Sequence, residues 1–463
     1  MGVKPYSYSD RHPGGDAPRR MIGDGMRVRQ GFRALGATVL TGALLTGAIV
    51  LVSAGGAGAQ TTGTSSAPGV TSNSITVGTI STQTGTLASN FSSLIYGEKA
   101  YYDYINAQGG VNGRKIDYKY ALDDGGNPTT FNQLANTLIN QDHVFAVTGV
   151  ATAFFSPNLF VESGIPTYGY NVTGNWSGPS NLFAAGGSVQ YYPAEGPQVA
   201  FVARQTTKPG TAPSVAFIAY GIAASADACQ AGQNSLTAAG YKVSYSDLKV
   251  NYPGSTVATD VQRMKQAGSN IVVSCMDVQG NVTMARAIKQ YGLNMTQLWF
   301  SGNDQSTLDQ NQSLMQGTYF SIAHVPFTAS QSTFAGLGLY VKEMKKYEPA
   351  YVDDEVAIQG WESASLFVQG VKMAGNNLTW ANVLKQDNSL TSFTAGGLIA
   401  PVNWKDAGHS GHAPPYCAAF IKVSGDKYVA ALNTGQNVFN CFESTNPKKN
   451  PVFPLPAGTP GPS

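Results

Sequence analysis

Residues 74–80 read SITVGTI, and the chain from there to Pro128 makes that short apolar run the first strand of a parallel sheet. Ile75 and Val77 sit among β-branched neighbours, as in a strand buried within a sheet. Phe91, Leu94, Ile95, Tyr101, Tyr102 and Ile105 then recur three and four residues apart, the stripe a helix lays against a sheet. The segment AQGGVNGRK at 107–115 ends that helix. Gly109 and Gly110 can take the positive φ of a helix C-terminus, and Asn112-Gly113 is a turn dipeptide. Ile116, Tyr118, Tyr120 and Leu122 alternate into a second strand that stops at Asp123-Asp124-Gly125. A strand, a helix and a strand in that order make a parallel unit with its loops at one sheet edge.

The same rhythm continues along the chain. Pro128 opens a helix, HVFAVT at 143–148 is a third strand, 157–163 a short helix and 165–168 a fourth strand. A second series follows, with strands at 214–219, 242–248, 270–274 and 298–300 separated by helices. The expected fold class is therefore α/β, with two doubly wound lobes. From about Pro326 three helices come with little strand between them, at 332–346, 354–374 and 379–386, and are expected to pack on an existing sheet. A hairpin at 416–432 turns on Ser424-Gly425-Asp426.

Length and composition set outer bounds. At 463 residues the chain is too long for one core, and 12% charged residues with a net +2 give no field for nucleic acid. Arg27, Arg29 and Arg33 lead into the small, apolar run 34–54, and Ala57-Gly58-Ala59 precedes Gln60. That order predicts residues 1–59 as leader and secretory signal, cleaved near Ala59, with an uncleaved anchor as the alternative. Residues 60–73 read as a flexible linker and the proline-rich 446–463 as a disordered tail. Cys229, Cys275, Cys417 and Cys441 all lie in the exported part, where disulfides are expected. Of the three pairings, Cys229 with Cys275 and Cys417 with Cys441 keep each bridge within one lobe. A metal site is the weaker reading, since no CxxC occurs, and no cofactor is expected.

No catalytic constellation stands out: GxSxG, HExxH, a P-loop and GxGxxG between strand and helix are all missing. Asp123-Asp124 reads as a cap or amide-binding pair rather than a catalytic dyad. Doubly wound lobes bind ligands where the carboxyl ends of strands face a cleft. That rule selects Thr84 after the first strand, Thr152, Ala153 and Phe154 after the third, and Tyr168, Tyr170 and Thr173 at and after the fourth. In the second lobe it selects Tyr220, Ser225, Asp277, Asn303 and Asp304. Hydroxyls and helix-start amides suit a carboxylate, Asp277 or Asp304 suits an ammonium, and the aromatics can hold an apolar body.

ITVGTISTQTGTLA, INAQGGVNGRKI and ALDDGGNP, followed in order by VFAVTGVATAF, GIPTYGYNVT, WFSGNDQS and GWESASLFVQGVKMAG, resemble the type I periplasmic binding proteins of the branched-chain amino-acid class, solute-binding components of ABC importers. The resemblance spans about 74–432. It implies two Rossmann-like lobes joined by three crossovers: 74–190 and 326–398 in the first lobe, 191–325 and 399–445 in the second, with passages near 188–192, 323–327 and 397–402. It also implies that Thr152, Ala153, Val172 and Thr173 face a ligand carboxylate and that Asn303 or Asp304 faces its ammonium. Ala153 departs from the hydroxyl usual there. The resemblance implies a non-enzymatic protein that delivers a small amino-acid-like or amide ligand to an ABC permease in the membrane, acting as a monomer and without nucleic acid. A ligand-sensing ectodomain and a secreted hydrolase are the rival expectations.

Overall fold

The computed structural model describes residues 67–176, 178–185, 195–238, 240–252, 257–405, 416–432 and 438–442. The leader, the apolar run 34–54, the first expected passage near 188–192 and the tail lie outside those residues. In the first lobe, strands β1 (Ser74–Ser81), β2 (Lys115–Asp123), β3 (Ala146–Val150), β4 (Thr167–Tyr170) and β5 (Leu182–Ala185) form one parallel sheet in the order β2-β1-β3-β4-β5. Helices α1 (Leu94–Ala107), α2 (Pro128–Asn140) and α3 (Asn158–Ser163) connect the first four strands. β5 was not among the expected strands. Its four residues, LFAA, have too little pattern to declare a strand by themselves.

Residues 67–73, read from sequence as linker, dock on this lobe. Thr76 N donates to Gly69 O at 2.8 Å, Arg114 Nε donates to Thr71 O at 2.9 Å, and Ala67 and Val70 pack on the core. Asp123 and Asp124 act on backbone and hydroxyl groups as expected: Asp123 Oδ1 accepts Gln83 N and Gly125 N, and Asp124 Oδ1 accepts Thr82 Oγ1 and Gly126 N.

The second lobe opens with α4 (Glu195–Thr206) and alternates β6 (Val215–Tyr220), α5 (Ala223–Ala238), β7 (Val243–Val250), α6 (Val257–Gln266), β8 (Ile271–Ser274), α7 (Val278–Gln290), β9 (Thr296–Trp299), α8 (Gln305–Met315) and β10 (Tyr319–Ile322). α8 and β10 were not anticipated. α8 has only Leu308 and Met315 buried, so its sequence carries no apolar stripe. The chain then returns to the first lobe with α9 (Ala335–Tyr347), α10 (Glu355–Ala374) and α11 (Trp380–Asp387). Finally β11 (Tyr416–Ser424), β12 (Lys427–Ala430) and β13 (Asn440–Phe442) complete the second sheet, ordered β12-β11-β10-β9-β8-β6-β7 with β13 on β11. β11 runs antiparallel to β10 and β12, the hairpin read from the sequence.

α10 is the keystone of the first lobe: 16 of its 20 residues are buried. It lies backbone to backbone against α1. A Cβ on Gly97 would fall 1.7 Å from the Ala357 carbonyl oxygen, and one on Gly360 2.0 Å from that of Leu94. Glycine at both positions is what lets the two helices meet at this distance. His324 pairs with Ile399, and Val325 N donates to Leu398 O, so the segment leaving β10 runs beside the segment after α11. Ile399, Val402 and Trp404, around the third expected passage, pack in the first lobe, where Trp404 meets Phe183 edge-on.

Both disulfides lie in the second lobe. Cys229 on α5 bonds Cys275 after β8, and Cys417 on β11 bonds Cys441 on β13. Among the described residues no helix is long and apolar enough to cross a membrane.

Candidate functional site

The carboxyl ends of the strands converge on one cleft of about 500 Å³ between the lobes. From the first sheet, the chain after β3 brings Ala153 and the end of β4 brings Tyr170 and Val172. From the second, β6 ends at Tyr220 with Ser225 behind it, β8 leads to Asp277, β9 to Phe300 and Asp304, and β10 to His324. This is the edge at which open α/β sheets take ligands, and the volume suits a small organic molecule.

Seven of the residues selected from sequence line the cleft: Ala153, Tyr170, Val172, Tyr220, Ser225, Asp277 and Asp304. Six lie elsewhere. Thr84 is bound to Asp123, Oγ1 donating to Oδ2 at 2.6 Å, and lies outside the lining. Thr152 is buried, with its Oγ1 3.3 Å from that of Thr82. Tyr168 is fully buried in the first core, stacks on Phe183 and donates to Asp387 Oδ2 at 2.6 Å. Phe154 is half-buried, packs on the cluster that includes Leu87, Phe91 and Val356, and lies outside the lining. Thr173 is buried outside the lining. Asn303 is buried beside His324 and faces a small neighbouring hollow. Tyr168 and Tyr170 are two residues apart and share a face of β4; Tyr168 sits within the strand in the core, and only Tyr170, at the carboxyl end, reaches the cleft.

Residues from segments that gave no site signal complete the lining. Asn90 and Phe91 come from just before α1, Tyr252 from beyond β7, Tyr351 from the helical turn between α9 and α10, and Asp354, Glu355 and Gln359 from the start of α10. The Asp354-Glu355 pair is readable in the sequence as a helix start, but nothing local shows that this start reaches a cleft built by other segments.

Several bonds cross from lobe to lobe. Tyr252 OH donates to Thr86 O at 2.7 Å, and Asn90 Nδ2 lies 3.5 Å from Asp277 Oδ2. Glu355, on α10, accepts Gly302 N at 2.7 Å and Asn303 N at 3.0 Å through its two carboxylate oxygens. Burial pushes Glu355 up to about 8, partly offset by those two amide bonds. Burial likewise raises Asp354. His324 Nδ1 lies 2.9 Å from the Val325 carbonyl and must therefore donate to it, which leaves Nε2 to accept from Asn303 Nδ2 at 3.4 Å. Burial holds His324 down at about 4, so it is neutral at physiological pH.

The aromatic walls are ordered by one another. Phe91 meets Tyr170 edge-on with centroids 6.3 Å apart, and Tyr220 meets Tyr252 at 4.9 Å. Tyr220 OH donates to Asp277 Oδ1 at 2.7 Å, fixing that ring's tilt. Among the described residues no group of three or more His, Cys, Asp or Glu is placed to hold a metal ion.

The sequence model described as "Periplasmic binding protein" matches residues 74–428, more than three quarters of the chain. The chain belongs to the periplasmic binding protein family. Among solved structures, the fatty acid ABC transporter substrate-binding protein from Thermomonospora curvata superposes with a TM-score of 0.68 at 18% identity, covering 85% of this chain and 97% of that one. The branched-chain amino acid ABC transporter protein from Thermus thermophilus with bound valine gives 0.64 at 16%, over 82% and 99%. The solute-binding protein from R. palustris in complex with benzoate gives 0.59 at 16%, over 77% and 95%. No curated protein matches the chain. The family is one of solute-binding proteins rather than enzymes, and at these identities the solved neighbours show the fold alone.

Proposed function

We propose that this periplasmic binding protein is exported with its leader removed near Ala59, captures a small amino-acid-like or amide solute between its lobes as a monomer, and presents it to an ABC permease. The observation that carries this reading is the cleft of about 500 Å³ lined from both sheets and bridged by hydrogen bonds from lobe to lobe. Contacts that form only when both lobes meet the solute give it a differential affinity for the closed state, and that difference is what drives closure. N-terminal sequencing of the exported protein together with mass spectrometry of the solute it carries tests both halves. The expected result is a chain beginning near Gln60 and one small organic molecule released on denaturation. A folded protein that carries no solute and shows no thermal shift with amino acids, amides or aromatic acids would refute capture.

A further inference from the structure

The charge of the cleft is one-sided. Asp277, Asp304, Asp354 and Glu355 line it, and no Lys or Arg is among its described lining residues. The internal segments outside the described residues contain neither residue type. His324, the only histidine among the described lining residues, has its tautomer fixed by Val325 O and Asn303 and is no cation.

Helix N-termini are the other common anchor for a carboxylate, because their free amides and dipole favour negative charge. Here three of those facing the cleft are already taken. Asp277 caps α7 through Gly280 N at 2.8 Å, Asp304 caps α8 through Thr307 N at 2.6 Å, and Asp354 caps α10 through Val356 N at 2.9 Å. A capping carboxylate that is ionised sets a full negative charge on roughly half a positive one, so the helix end becomes net negative. An anionic head group is left with neutral donors, such as the first amides of α5 beside Ser225.

The walls supply the complementary half. Phe91, Tyr170, Tyr220, Tyr252, Phe300 and Tyr351 line the cleft. Ring faces attract cations, and more strongly where solvent is excluded. Burial lifts Glu355 to about 8, and a cation beside it would favour its ionised form.

We infer that the cleft is built for an organic ammonium ion on an apolar or aromatic body, and not for a simple carboxylate. This rests on the solute-capture reading above and names the chemical class of the solute. The absence of a three-ligand acidic or histidine cluster among the described residues favours an organic cation over a metal ion.

Calorimetry on the intact exported protein decides the matter with matched probes: phenethylammonium and benzyltrimethylammonium against 3-phenylpropionate and octanoate. The ammonium probes should bind at least tenfold tighter than the carboxylates. Asp277→Asn and Asp354→Asn should weaken ammonium binding about fivefold or more, while their urea midpoints stay close to that of the unmutated protein, because asparagine caps a helix about as well as aspartate. Carboxylates that bind as tightly as the ammonium probes, or ammonium probes that do not bind at all, would overturn the inference. Carboxylate binding would still leave solute capture standing. Failure of every probe, in a folded protein that also carries no solute, would remove both.

Discussion

Glu98 lies on α1 in the core of the first lobe, fully buried beneath the sheet. Its Oε2 is 2.7 Å from Thr79 Oγ1 and 3.0 Å from Tyr118 OH. Thr79 Oγ1 is also 2.6 Å from the Thr148 carbonyl, and one hydroxyl proton cannot serve both acceptors. If Glu98 is protonated it can donate to Thr79, whose own proton then goes to Thr148. Burial raises Glu98 from 4.5 to about 7, with the hydrogen bonds pulling the other way. The folded value lies above the unfolded one, so its contribution to stability is intact below pH 4.5 and is lost as pH rises through 7. At about 1.36 kcal/mol per pKa unit, that gap amounts to about 3 kcal/mol. Glu98→Gln keeps the shape and removes the ionisation. Urea unfolding of both proteins from pH 4 to pH 8 should show the variant gaining about 3 kcal/mol relative to the parent across that range, whatever its fixed offset. Glu355, Glu362 and Asp387, which burial also raises, titrate in both proteins and cancel in the difference. A difference that stays flat within about 1 kcal/mol over the same range would show that Glu98 is ionised without penalty, and the account of this core would be wrong.

The same core makes a second test. Gly149 has φ +65° and a Cβ there would stand 2.0 Å from Glu98 Oε2, so Gly149→Ala should cost on the order of 3 kcal/mol, and less in a Glu98→Ala background. Tyr252→Phe removes the bond to Thr86 O; at about 1 kcal/mol net, the off-rate of the captured solute should rise about two- to tenfold, and an unchanged rate would mean the bond does not serve the closed state. The Cys229–Cys275 bridge joins residues 46 apart and Cys417–Cys441 residues 24 apart. Loop-closure entropy then assigns about 4 and about 3 kcal/mol, so replacing the first pair by serine should lower the urea midpoint more than replacing the second.

The architecture was legible because it is repetitive. Alternation in β2, the apolar stripe of α1 and the turn at Asn112-Gly113 each declare themselves locally, and the strand-helix order then dictates a parallel sheet. β5 and α8 were not legible for the converse reason: a four-residue strand and a helix with two buried side chains leave almost no periodic trace. The cleft was partly legible, through the rule that ligands meet strand carboxyl ends. Tyr170, Tyr220, Asp277 and Asp304, which that rule selects, line the cavity, yet the rule cannot tell Tyr170 from Tyr168, which share a face of their strand and differ only in how near they stand to its carboxyl end. Nor can it reach α10, whose start arrives at the cleft only after the chain has crossed between lobes.

Fold and solute are written in different parts of this sequence. The positions that hold α1 against α10, Gly97 and Gly360, admit no side chain, whatever solute is bound. The cleft carboxylates serve a second purpose: Asp277, Asp304 and Asp354 terminate helices, a task that asparagine or serine could perform without charge. Three caps drawn from the charged option, around a cavity that contains no described cation and several tyrosine faces, add a negative field that helix capping alone does not require. The bonds from Gly302 and Asn303 hold the Glu355 side chain where the lobes meet, and a cation in the closed cleft would favour its ionised form. Neighbours with the same fold can therefore hold a fatty acid carrier's or an amino acid carrier's site on one scaffold: the sheets fix where a solute sits, and the residues at their ends decide its charge.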